Sequence, residues 1–369
     1  MMKPCVGYIL VLFLSWMDIT LHAAAMPNEN PPVRVRGVWM HPGFFGPDKT
    51  IAKEKMQITL DAYARAGINT LFILVKNTTG HLYYSSEIGM RDKAYDWDFF
   101  ALFLNEAAKR KMEVHPWFCV FPETAMLGEV GRHPEWLITN PKREMVAVAN
   151  PAMPAVRAYE KSLILELVQK YDVCWVHLDY IRYPCEPVEP YFSFDRETLR
   201  LFKEDTGIDL AEVKNRDTGS IAWNEWLHWN RERVTIFVRE LREGLDTINR
   251  KVKISAAVFN DAATARIMVG QDWVVWAEEG LVDMVSPMLY TDRCDHFEKK
   301  VRQAMADRRG QVLMCPGIGV GSSSLYQWAT PESMIRQIAF CDSMNADGVV
   351  FFSSYSLDRL FLEKLEGLR

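Results

Sequence analysis

The residues most capable of chemistry sit together in one short run, His177-Leu178-Asp179-Tyr180-Ile181-Arg182-Tyr183-Pro184. The apolar stretch 175–179 leading into it reads as a β-strand, and the proline closes the run. Alternate residues of a strand share a face, so His177 and Asp179 point the same way. Asp179 then stands at the open end, with His177 one layer below. Arg182 lies just past the strand, where it can fold back on the Asp179 carboxylate and favour its ionised form. A carboxylate held ionised at the lip of a cleft suits a nucleophile or a stabiliser of developing positive charge. The same Asp–Arg pair could instead brace the loop. Three other acids follow strand-like runs: Glu123, Asp261 and Asp292. Glu123 opens a long loop in an apolar setting, which would raise its pKa as a general acid requires. Asp261 precedes Ala262-Ala263 and could equally cap a helix. Asp292 falls two residues beyond Tyr290.

Several other chemistries find no support. A zinc ribbon needs CxxC pairs, and a metal-dependent hydrolase of this size typically shows HxH on its first strand. Here His41, His115 and His177 fall on separate runs, so no metal and no cofactor are expected. No GxSxG elbow is present, which argues against an esterase. The run Gly317-Ile318-Gly319-Val320-Gly321-Ser322-Ser323 lacks a basic residue and reads as a tight, close-packed loop rather than a phosphate cradle. Lys and Arg number 43 against 48 Asp and Glu, a net charge of −5. Such a balance lacks the concentrated basic surface a nucleic-acid binder needs. The aromatic share is 12%, with 12 Trp, which suits either a large core or a cleft that stacks flat apolar ligand faces.

The elements that must hold these residues alternate regularly. Strand-like runs are expected at 35–41, 70–75, 113–121, 175–179, 253–259, 284–290, 312–318 and 348–353. Amphipathic helical stretches separate them, the clearest at 231–249 and 155–171. Eight strands alternating with helices imply parallel pairing. A doubly wound sheet would usually carry a glycine-rich fingerprint after its first strand, whereas this one ends Trp39-Met40-His41-Pro42. The fold class expected is therefore α/β, a (β/α)8 TIM barrel, as a single domain over 34–369. Catalytic groups of a barrel gather where its strands end. Long loops follow the third strand (122–154) and the fourth (183–222), and such loops are usually functional.

The start of the chain reads as a targeting segment. Lys3, the apolar run 6–16 and Ala23-Ala24-Ala25 predict a signal peptide over 1–25, then a short linker at 26–33. The apolar run is too short to span a bilayer. Export to the periplasm or extracellular space follows, without stable membrane insertion. Most of the remaining cysteines are expected as buried free thiols, with Cys185 and Cys294 the pair best placed for a disulfide.

Several of these segments together resemble one family. The run 177–184 is similar to the strand-four signature of the glycoside hydrolase-like 10 family. Arg36-Gly37-Val38-Trp39 resembles its opening strand, and Gly67-Ile68-Asn69-Thr70 through Tyr84-Ser85 its second strand and loop. His115-Pro116-Trp117-Phe118 resembles its third strand, and Asn150-Pro151 through Val156-Arg157 its helix entry. Trp273 through Tyr290 resembles its sixth strand. One departure is Phe121-Pro122-Glu123, where many relatives have an Asn-Pro turn. The resemblance implies a TIM-barrel glycoside hydrolase acting on a bacterial cell-wall or extracellular polysaccharide, such as a peptidoglycan-type glycan. Glycoside hydrolysis normally uses two carboxyl groups. Asp179 leads, with Glu123, Asp292 or Asp261 as partner. Trp39, His41, Lys76, Asn77, Trp117, Arg182, Tyr290 and Tyr355 are the candidate substrate contacts. A barrel that has lost catalysis and binds glycan as a lectin or scaffold is the alternative; it would show only one rim carboxyl.

Overall fold

The computed structural model describes residues 34–140, 142, 144–185, 190–210, 219–248, 250–321 and 327–368. The expected signal peptide and linker lie outside them. The strands run β1 (Val35–Met40), β2 (Thr70–Lys76), β3 (Glu113–Cys119), β4 (Leu137–Thr139), β5 (Met145–Ala149), β6 (Trp175–Asp179), β7 (Lys253–Phe259), β8 (Met284–Met288), β9 (Leu313–Met314), β10 (Gly317–Gly319) and β11 (Gly348–Phe352). All except β4 and β5 belong to one parallel sheet. β1, β2, β3, β6, β7 and β8 are neighbours in turn, and β8 pairs with both β9 and β10. β10 pairs with β11 and β11 with β1, which closes the sheet into an α/β TIM-type barrel. β9 and β10 are two pieces of the seventh stave, broken at Cys315-Pro316, where proline has no N–H for the ladder.

A strand buried on both faces reads as a continuous apolar run. β2 is the clearest case, Thr-Leu-Phe-Ile-Leu-Val-Lys with every residue buried. Trp39, Phe72, Trp117, Trp175, Met284 and Val350 belong to the packed centre of the barrel. A larger cluster packs the strands against the surrounding helices.

The helices differ from expectation mainly at their starts. The stretch expected at 155–171 is the helix Pro154–Lys170. The one expected from 231 begins ten residues earlier, as Ile221–Asp246, because the Ser220 side chain accepts from the Trp223 N–H and caps it there. That start carries Trp226 and Trp229 into the core, where their rings stack in parallel 5.7 Å apart. Both long loops are partly structured. The loop after the third stave folds into the antiparallel hairpin β4–β5. The next contains the helix Arg196–Thr206, whose cap Gly207 adopts a left-handed φ of 75°. All six described cysteines are free, so the Cys185–Cys294 bridge is not formed. Only Cys119, Cys315 and Cys341 are buried, while Cys174 and Cys185 are exposed. No helix among the described residues is long and apolar enough to cross a membrane.

Candidate active site

The C-terminal strand ends open onto a cavity of about 550 Å³. It is lined by Trp39, His41, Asn77, Tyr83, Trp117, Cys119, Asp179, Tyr180, Arg182, Tyr290, Trp328, Phe352 and Tyr355, among others. Seven of the expected site residues besides Asp179 therefore meet there: Trp39, His41, Asn77, Trp117, Arg182, Tyr290 and Tyr355. Among the described residues of that lining, Asp179 is the only carboxyl group.

Asp179 ends β6 and is 6% exposed. Tyr180 follows it with φ of 49°, in the left-handed region. The chain turns back there, and the Tyr180 amide donates to Asp179 Oδ1 at 2.6 Å. Arg182 Nη1 approaches the same oxygen at 3.3 Å, its guanidinium lying over the Tyr180 and Phe259 rings. These contacts favour the carboxylate, but burial outweighs them and the Asp179 pKa is raised. That reverses the sequence expectation, in which Arg182 kept the group ionised. The Trp117 indole also favours the charged form. Its N–H is buried without a hydrogen-bond partner of good geometry. A shielded carboxyl with a raised pKa is suited to giving up a proton.

The other three acids are elsewhere. Glu123 is 2% exposed and is absent from the cavity lining; its Oε1 lies 2.8 Å from Lys76 Nζ. Lys76 is fully buried, not a rim cation. Its ammonium also pairs with Glu160 at 3.2 Å and donates to the Cys119 and Val120 carbonyls at 3.1 and 2.8 Å. Burial pushes Glu160 up to about 8. Burial alone would depress Lys76, but Glu123 and Glu160 carry its pKa above the usual lysine value. The strand period predicted neither burial depth nor this ion cluster, because a terminal Lys reads as exposed. Asp261 is exposed and accepts from the Thr264 N–H at 2.7 Å, which makes it a helix cap. Asp292 is exposed and does not line the cavity.

Aromatic rings form the wall. Tyr290 stacks on Phe352 with centroids 5.1 Å apart, and Trp328 lies 5.2 Å from Tyr290. A Cβ at Gly319 would meet the Trp328 ring at 2.8 Å and Tyr290 Cβ at 3.0 Å, so Trp328 packs where only glycine leaves room. Across the opening, His41 meets Trp117 edge-on at 5.0 Å and Tyr355 at 5.6 Å. Burial lowers the His41 pKa to about 4, so its ring is neutral near pH 7. Asn77 is occupied in shaping its own turn. It accepts from the Thr79 and His81 amides at 2.9 and 3.1 Å, and donates to Tyr83 Oη at 2.9 Å. Tyr83, Tyr180 and Phe352 were not among the expected site residues; Tyr180 and Phe352 stand just past and at strand ends, which could have marked them, whereas Tyr83 lies within the loop after β2. Trp136, Trp223, Trp226, Trp229, Trp273 and Trp276 are absent from the lining. Among the described residues no group of three or more His, Cys, Asp and Glu could hold a metal ion.

A shielded acid and an aromatic wall at the C-terminal end of a closed parallel barrel stand where TIM-barrel proteins build their active sites. The chain belongs to the glycosyl hydrolase-like 10 family, whose model matches residues 34–321. It is similar to the glycosyl hydrolase YngK of Bacillus subtilis, 21% identical, covering 97% of this chain and 75% of that protein. It is 24% identical to the glycosyl hydrolase DigH of Escherichia coli K12, over 65% of this chain and 58% of that one. The match thus spans little more than half of DigH. Among solved structures, the PgaB (BpsB) glycoside hydrolase domain from Bordetella bronchiseptica superposes with a TM-score of 0.71 at 12% identity, covering 90% of this chain and 98% of that one. The catalytic domain of β-amylase from Paenibacillus polymyxa gives 0.66 at 11% identity, covering 90% and 97%. These likenesses show the fold.

Proposed function

We propose that this chain is an exported glycoside hydrolase that cleaves O-glycosidic bonds in a bacterial cell-wall or extracellular polysaccharide, with Asp179 as the acid at the reacting bond. The observation that carries this reading is the Asp179 carboxyl, shielded from water yet lining the cavity. A proton kept by burial can pass to the glycosidic oxygen as its bond to the anomeric carbon breaks, and the carboxylate left behind stabilises the positive charge on the sugar ring. Water then adds to that carbon and returns its proton to Asp179. Arg182 and the Tyr180 amide make that carboxylate attainable, since both favour the charged form. The faces of Trp328, Tyr290 and Tyr355 offer flat apolar platforms for pyranose C–H groups. Membership in a glycosyl hydrolase-like family supports the reaction class. Export rests on Lys3, the apolar run 6–16 and the alanines at 23–25.

One observation favours a second reading, a glycan-binding barrel without catalysis. Paired-carboxylate hydrolysis needs a partner acid, and none of Glu123, Asp261 and Asp292 lines the cavity. Incubating the purified protein and its Asp179→Asn variant with a panel of cell-wall and matrix polysaccharides separates the two. New reducing ends from the parent alone establish the hydrolase. Saturable binding by both proteins, with no new ends from either, establishes the binder.

A further inference from the structure

Beneath the cavity floor, a file of polar side chains crosses the barrel interior. Trp39 Nε1 donates to His177 Nε2 at 3.0 Å. That nitrogen therefore carries a lone pair, and the single proton of a neutral His177 sits on Nδ1, facing Ser255 Oγ at 2.9 Å. The same hydroxyl lies 2.8 Å from His115 Nδ1 and 3.2 Å from the Val176 carbonyl. Ser255 has one proton to give. Given to Val176, it would require His115 Nδ1 to be the N–H. His115 Nε2 would then be a bare lone pair 3.5 Å from a Glu113 carboxylate oxygen, with no other partner. Given to His115 Nδ1, at the shorter distance, it leaves His115 Nε2–H directed at Glu113, and that repulsion disappears. Glu113 closes the file by accepting from Trp175 Nε1 at 2.7 Å. His115, His177 and Ser255 have no exposed surface, and burial keeps both imidazoles neutral.

We infer that His177, Ser255 and His115 form a one-way chain of hydrogen bonds, ended by the electrostatic contact of His115 with Glu113, that fixes the Trp39 indole as the floor of the cavity, with His177 its positioning residue. The two histidines hold opposite tautomers: Nδ1–H on His177 and Nε2–H on His115. The Trp39 N–H is committed to His177, and the Trp39 ring, which lines the cavity, packs against Phe72 and Phe352 and lies close to Gly317. Glutamine at position 177 can both accept from Trp39 and donate to Ser255, whereas leucine can do neither.

The tautomers are read directly from long-range 15N–1H correlation spectra of the full chain labelled at histidine, with signals assigned by loss in His177→Gln and His115→Gln. Opposite tautomers support the chain; a protonated Nε2 on His177, or one tautomer for both rings, overturns it. The Trp39 indole N–H, assigned by its loss in Trp39→Phe, should exchange with solvent about tenfold or more faster in His177→Leu and close to the parent rate in His177→Gln. Equal exchange in the two variants contradicts the positioning role. If the cavity is the glycan site proposed above, His177→Leu raises KM about tenfold with kcat little changed, and has no further effect in a Trp39→Phe background. A KM effect that persists in that background contradicts action through Trp39. The tautomers are read on the parent protein and need no substrate, so an absence of hydrolysis would count against the proposed function and leave this inference to be decided by the spectra.

Discussion

Replacing Lys76 with methionine is expected to destabilise the barrel by about 3–5 kcal/mol, the cost of removing one partner from a buried ion pair. The side chain is fully buried, with its ammonium 2.8 Å from Glu123 and 3.2 Å from Glu160. Methionine keeps the apolar stem and deletes the charge, leaving two acids enclosed and two carbonyls, of Cys119 and Val120, without their donor. Burial already pushes Glu160 up to about 8 with the cation present. A carboxyl raised in this way contributes stability that is complete below its unfolded pKa of about 4.3 and lost as pH climbs through the folded value. Without Lys76 that folded value rises further, so Lys76→Met should lose more stability between pH 6 and pH 8 than the parent. Guanidinium unfolding at the two pH values measures both effects. Adding Glu123→Gln and Glu160→Gln to Lys76→Met should recover much of the loss, because uncharged groups at a buried ion-pair site are often tolerated. A single variant that loses less than about 1 kcal/mol, or a triple variant no more stable than the single one, would refute this reasoning.

Three further outcomes follow from the site. Arg182→Met removes the cation 3.3 Å from Asp179 Oδ1. The acid then keeps its proton to higher pH, and the alkaline limb of kcat/KM should move up by about one unit; an unmoved or lowered limb in a pH–rate profile contradicts the electrostatic assignment. Asp261→Asn and Asp292→Asn should leave kcat/KM within about twofold of the parent, since neither side chain lines the cavity, and Asp261→Ala should cost about 1 kcal/mol in a melting experiment through loss of the cap. Gly319→Val drives side-chain carbon toward Trp328, which a Cβ alone would meet at 2.8 Å. It should raise KM about tenfold with a stability cost of about 1–3 kcal/mol, and an unchanged KM would remove the Tyr290–Trp328 wall from the binding site.

Much of the barrel was legible because buried parallel strands advertise themselves. β2 and β6 have the expected spans to within a residue, and period-two spacing placed His177 and Asp179 on one inward face. The seventh stave read as one run because local composition does not reveal which ladder bonds Pro316 interrupts. Lys76 and Glu123 were misplaced for a related reason: sequence shows that a charge exists, and only packing shows that its countercharge comes from Glu160 on the helix Pro154–Lys170. The Asp179–Arg182 contact was foreseeable from spacing, but its balance was not. Burial overrides the cation, and burial is a property of the assembled wall. Trp226 and Trp229 show the limit of composition, since a Trp in a cleft and a Trp in the core are written alike.

The most direct test of the account compares release of new reducing ends by the parent and by Asp179→Asn on whichever polysaccharide the parent degrades. Asparagine preserves shape and the acceptor for the Tyr180 amide while removing the transferable proton. The expected result is a fall in rate of about 10²-fold or more with an unaltered melting curve. Near-parental turnover by a folded Asp179→Asn protein would contradict the central assignment.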